Sequence, residues 1–269
     1  MLKKLIKYDM RAIGKLALPI LAVVAGVILL IFTLIGLVMS NTDMIVRNLF
    51  SFLGIYVLAI GVLGGNTVVS FFVLFRYYQN LFTDQGYLSF TLPVTPSQHL
   101  CSKVVTAFLW NIIILAVNAI ALTLGVFVML IISDKLGFTS LEAFLYTVST
   151  SVRDFFNTLV SEFNLSSASF IGILFVLIVC RSLCSILEVF FAMTVGGLMR
   201  RAKVITGLGV YFAIQTALST IGNILSTFFT WNDLSPLFYL LPFAILYLVL
   251  CVVFFAWTRS LLDKKLNLY

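Results

Sequence analysis

The chain has 269 residues, of which 62% are hydrophobic and only 10% charged. Soluble domains carry about 25% charged residues, so this chain lacks the polar surface that a water-facing globule needs. Its net charge of +7 does not point to nucleic acid, because the basic residues lie in short clusters between long apolar runs and read as topology signals.

Residues 1–15 form a distinct unit. Lys3, Lys7, Arg11 and Lys15 recur every four residues, and Leu2, Leu5, Ile6, Met10 and Ile13 fill the other side. That pattern predicts a basic amphipathic helix lying in the headgroup layer. Crossing the hydrocarbon core takes roughly 20 apolar residues, and the first run that qualifies is 16–39. It is too long for a signal h-region and has no small-residue cleavage pattern, so it reads as a retained span. The second span is 52–75, where Gly61, Gly64 and Gly65 suit close helix packing.

The connection 76–103 reads RYYQNLFTDQGYLSFTLPVTPSQHLCSK. Pro93 and Pro96 stop a helix there, and Ser97 is placed to cap the next one. Tyr77, Tyr78, Phe82, Tyr87 and Phe90 give this segment an aromatic surface suited to a protein partner. The third span is 104–132, followed by an external stretch, 133–167, expected to hold short surface helices. The fourth span, 168–199, turns tightly at residues 200–203 into the fifth, 204–229, and the sixth is 237–257. Barrel strands would be about 10 residues of alternating character, which these runs are not. The fold class is therefore an all-α integral membrane protein, one transmembrane domain over 1–269 with six helices.

Orientation follows from the flanking lysines and arginines. One side receives Lys3, Lys4, Lys7, Arg11, Lys15, Arg76, Lys103, Arg200, Arg201, Lys203, Arg259, Lys264 and Lys265; the other receives Arg47, Lys135 and Arg153. The imbalance is thirteen to three, which puts both termini in the cytoplasm.

The chemistry of a membrane enzyme is missing. His99 is the only histidine, which rules out H-E-x-x-H, and neither a G-x-S-x-G nor a G-x-x-x-x-G-K-[ST] sequence occurs. Cys101, Cys180, Cys184 and Cys251 have no metal-ligand or disulfide pattern and read as free thiols. No catalytic, metal or cofactor-binding residue is expected.

Arg181 and Glu188 are the only charges within the spans. At about 100° per residue, Arg181, Cys184, Ser185 and Glu188 share one face of the fourth span. A charge at that depth must face protein or water. One reading places the stripe along a substrate path or gate. The other makes it a structural polar contact with Asn66, Asn118, Gln215 or Asn223.

The segment LFTDQGYLSFTLPVTPSQHLCSK resembles the stretch after the second span in permease subunits of Gram-positive bacterial ABC exporters, where a motif close to D-x-G-Y-L-x-F-T-L-P-V precedes the third span. The turn VGGLMRRAKVITGLGVYF and the basic end TRSLLDKKLNLY are similar to the same type-2 permease family. The resemblance implies that Asp84, Gly86, Tyr87, Leu88, Thr91, Leu92 and Pro93 form or brace a coupling helix seated on a separate ATP-binding cassette ATPase. ATP and Mg would then be held by that partner, with no cofactor in this chain. It further implies a second permease, identical or homologous, meeting this one through the first and fifth spans, and short re-entrant helices within 223–236. The setting is a bacterial plasma membrane, with lipid as a partner and no nucleic acid. The cargo would be amphipathic or hydrophobic: a drug, a lipid or an antimicrobial peptide. Two alternatives stand beside it: a secondary transporter using Glu188 and Arg181, and a non-transporting membrane assembly protein.

Overall fold

The structure, a computed structural model, describes residues 2–41, 44–82, 95–133, 141–163, 167–199, 203–231 and 236–265. These residues form seven helices: α1 (Leu2–Asn41), α2 (Met44–Phe82), α3 (Pro96–Ser133), α4 (Leu141–Phe163), α5 (Ser167–Gly197), α6 (Lys203–Trp231) and α7 (Pro236–Lys265). Six of them, all but α4, are long and apolar enough to cross a membrane, over Leu2–Val38, Phe52–Gln79, Ser97–Ile132, Gly172–Gly197, Lys203–Phe228 and Leu240–Leu262. The protein is a multi-pass helical membrane protein. Helices prevail because hydrocarbon offers no partner for a free N–H or C=O, and a helix satisfies both internally.

The start of α3 shows how the sequence sets one boundary. Pro96 occupies the first helical position, where its missing N–H costs nothing. Gln98 N–H bonds the Thr95 hydroxyl at 3.4 Å, and the Gln98 side chain accepts from Thr95 N–H at 3.4 Å. This is a reciprocal T-x-x-Q capping box. The cap is therefore Thr95 and not Ser97, whose hydroxyl pairs with that of Thr95 at 3.1 Å.

Three other expectations change. Residues 1–15 are not a separate helix, since α1 runs unbroken from Leu2 through Pro19 to Asn41. Its buried face is a single stripe of Asp9, Ile13, Ala17, Leu21, Val24, Ile28, Ile31 and Ile35. Of the apolar positions expected to meet headgroups, Ile13 is buried, Leu5, Ile6 and Met10 are half-buried and Leu2 is exposed. In the stretch 133–167, α4 is one helix over Leu141–Phe163 instead of several short ones. Residues 223–231 continue α6 and form no re-entrant turn, there being no proline to break the helix before Pro236.

Packing divides the chain into two compact units. One consists of Met10–Val73 and Leu109–Phe155. Its core joins Ile13, Ala17 and Leu21 of α1 to Val69 of α2 and to Trp110 and Ile114 of α3. A Cβ on Gly65 would run into the Val24 side chain, so this glycine does permit close packing, whereas one on Gly61 would meet Val27 at an ordinary 3.8 Å. Gly64 faces open space. The other unit consists of Met1–Asp9, Leu74–Phe108 and Phe156–Tyr269. Its core lies between α5 and α7, where Cys184 and Leu187 pack on Phe254.

Candidate functional site

The polar stripe of α5 lies in this second unit. Glu188 is completely buried, at 0% exposure, and its carboxylate accepts three hydrogen bonds. Gln215 Nε2 of α6 donates to Oε2 at 2.9 Å; Cys184 Sγ and Arg181 Nη1 donate to Oε1 at 3.2 and 3.3 Å. An uncompensated buried carboxylate would cost several kcal/mol, and these donors offset that cost. Arg181 and Glu188 stand seven residues apart, about 10 Å along the axis, so both side chains extend toward each other to meet. The guanidinium also lies over the Tyr247 ring of α7, with Cζ 5.1 Å from its centroid. Gln215 is itself shared with the Tyr211 hydroxyl at 3.3 Å. The result is a polar cluster that ties three spans together.

The stripe anticipated from periodicity is therefore present in three of its four members. Ser185 does not join it, because its hydroxyl donates back to the Ser182 carbonyl at 2.8 Å. Of the four candidate partners, Gln215 is the one that meets Glu188. Asn66 and Asn118 bond each other instead, at 2.8 Å. The Asn223 side chain is exposed on α6 and makes no hydrogen bond among the described residues.

Asn223 belongs to a second feature. Thr216, Ser219, Thr220, Asn223 and Thr227 are all exposed along one face of α6, the span with the lowest mean hydropathy of the six. The hydroxyls bond back to their own helix, Thr216 to Ala213, Ser219 and Thr220 to Thr216, and Thr227 to Asn223, at 2.8 to 3.0 Å. This lowers the cost of placing them at membrane depth.

The proposed coupling residues Asp84, Gly86, Tyr87, Leu88, Thr91, Leu92 and Pro93 lie outside the described residues. Their flanks are described, and both are anchored. On the α2 side, Tyr77 is 1% exposed. It stacks on Phe190 with centroids 4.1 Å apart and bonds Thr194 at 2.7 Å. Thr194 already gives its proton to the Phe190 carbonyl at 2.7 Å, so the Tyr77 hydroxyl is the donor. Tyr77 is thus core and not part of an exposed aromatic surface, its ring filling the gap against α5.

On the α3 side, Lys103 Nζ donates to both oxygens of Asp9, at 2.6 and 2.7 Å, with each side chain 11% exposed. Sequence reasoning missed this pair, although a signal was there. Asp9 is an acid on the apolar side of the first helix, one turn from Ile13 and one from Leu5. At the α5–α6 turn, a Cβ on Gly196 would come within 2.5 Å of the Lys203 carbonyl and 2.6 Å of Gly207 N. The two backbones touch there.

Among the described residues no group of histidine, cysteine and acidic side chains is arranged to hold a metal ion. Comparison with protein-family models, with curated proteins and with solved structures returns no match.

Proposed function

We propose that this chain is the permease subunit of an ATP-driven ABC exporter, moving an amphipathic or hydrophobic substrate with the help of a separate ATPase. The observation that carries this reading is the D-Q-G-Y-L-S-F-T-L-P-V sequence of Asp84–Val94, set between the second and third of six spans. Its place in the sequence supports the assignment: the motif falls after α2, which is described to Phe82, and before the Thr95 cap of α3. Both termini fall on the basic side, which is the cytoplasmic side by the charge rule. The ATPase would bind there. The hydroxyl-lined face of α6 supports a second permease, because a row of polar side chains suits another protein or an aqueous path better than lipid tails.

The test is co-expression with the ATP-binding cassette ATPase that this reading requires, sought among the neighbouring reading frames, followed by purification through a tag on the permease and an ATPase assay. A stoichiometric ATPase that is lost when Tyr87→Glu and Leu88→Glu are introduced supports the reading. A chain that purifies alone under the same conditions refutes it. A secondary transporter is the second reading, favoured by one observation, the buried Glu188 with its three donors. It requires substrate uptake or release driven by an ion gradient without ATP.

A further inference from the structure

Arg181 and Glu188 are the only charges within the apolar runs 16–39, 52–75, 104–132, 168–199, 204–229 and 237–257, and they are placed unequally. The carboxylate is 0% exposed, whereas the arginine side chain is 39% exposed. The pair is neutral as a whole but polar, with its negative end inside the protein and its positive end at the surface. A guanidinium has five N–H donors. One donor meets Glu188, and the Tyr247 ring covers one face; no other acceptor for Arg181 occurs among the described residues.

Depth makes this exposure costly. Nine residues separate Arg181 from Gly172, the start of the apolar stretch, and sixteen separate it from Gly197; at 1.5 Å per residue these are about 13 and 24 Å. An unscreened cation there costs a few kcal/mol or more in hydrocarbon. One turn before it, Ile178 is 53% exposed, and Leu174 and Leu177 are half-buried on the same side. An apolar track therefore leads to a cation with unused donors.

We infer that this is a recognition site for an acidic amphiphile, whose phosphate or carboxylate head binds Arg181 while its tail lies along Ile178. A second copy of the chain is not the natural occupant. Its spans hold two carboxylates, Asp9 and Glu188, and both are buried. A cationic cargo is disfavoured for the same reason, since no exposed acid awaits it in the spans. The role of the site as a cargo site rests on the export reading above; the binding itself does not.

The experiment uses the full chain purified in an uncharged maltoside detergent, without ATPase. Binding is measured for fluorescent lipid probes with identical tails and three heads: phosphatidic acid, phosphocholine and trimethylammonium. Charge-assisted hydrogen bonds to the extra donors predict a preference for the acidic probe over the zwitterionic one of about tenfold or more. Arg181→Gln abolishes that preference, and Arg181→Lys keeps part of it. Arg181→Gln with Glu188→Gln removes both charges, so no buried acid is left unpaired; it too abolishes the preference while eluting as a single species. A wild-type chain without preference, a tighter cationic probe, or a preference that survives the double variant overturns the proposal. Displacement of the acidic probe by inorganic phosphate alone at matched concentration overturns its amphiphile part. Loss of ATPase co-purification, by contrast, removes the export reading and leaves the binding result standing.

Discussion

Replacing Lys103 with Met keeps the length and bulk of the side chain while deleting its ammonium. Asp9 is then left at 11% exposure, having lost the donor that meets both its oxygens, at 2.6 and 2.7 Å. At an effective dielectric of 20 the gross attraction across that distance is about 6 kcal/mol. Desolvating the two ions consumes much of it, but breaking the pair from one side forfeits the attraction and keeps the cost for the ion that remains. The expected loss is about 3–5 kcal/mol, which for a chain of this size lowers the melting midpoint by about 10 °C. The companion variant, Asp9→Leu with Lys103→Met, removes both charges and fills the space with apolar atoms. It should recover most of the loss, because a buried ion pair and a packed apolar pair differ little in net stability. Thermal unfolding in detergent, followed by the fraction that still elutes as a single species, measures both. The reasoning is refuted if Lys103→Met melts within about 2 °C of wild type, or if the double variant is no better than the single one.

Gly196→Ala places a methyl group against the Lys203 carbonyl and the Gly207 backbone, none of which is a side chain that can rotate away. Thermal unfolding should show a loss of about 1–3 kcal/mol, whereas Gly209→Ala on α6, with nothing within 4 Å of the added Cβ, should be neutral or stabilising by up to about 1 kcal/mol. Tyr77→Phe keeps the stacking on Phe190 and leaves Thr194 bonded to its own helix, so the same assay should register only about 0.5–1.5 kcal/mol; a larger loss means that the hydroxyl has a further buried role.

Much of this architecture is legible because hydrocarbon imposes a length. Six apolar runs of sufficient span can be counted without knowing how they pack, and the six helices lie over them. Within α5, the spacing of residues 181, 184 and 188 was enough to place their side chains on one face. Periodicity within a single helix does not decide what that face meets, and so Gln215 could not be separated from Asn66, Asn118 and Asn223. Nor does it decide where a hydroxyl turns. Ser185 shares the arc of Glu188 yet finds a nearer acceptor in the Ser182 carbonyl. The capping box at Thr95 is legible as T-x-x-Q, the cap falling on the residue just before the proline and not on Ser97. Asp9 is the most instructive case. The lysine repeat marks the charged face of α1, while the residue that matters for packing is Asp9, the acid on the opposite face.

The geometry around Glu188 bears on which source of energy a transport cycle could use. A carboxylate that carries protons between two sides of a membrane has to meet solvent in turn on each side, and its partners have to let it go each time. Glu188 is fully enclosed, and its three donors come from two helices. Arg181 and Cys184 belong to its own helix and move with it, and only Gln215 reaches it from another, α6. Opening a path to Glu188 therefore means parting α5 from α6, yet those helices meet backbone to backbone at Gly196 and Gly207. Glu188 works better as the anchor of a fastening that holds α5, α6 and α7 in register than as a proton carrier that is loaded and emptied on every turnover. Under the proposed export function, a bundle fastened in this way would be moved as a body by an energy source outside the membrane. Under that proposal the anchored residues Tyr77 and Lys103 flank, in sequence, the segment through which such a force would enter.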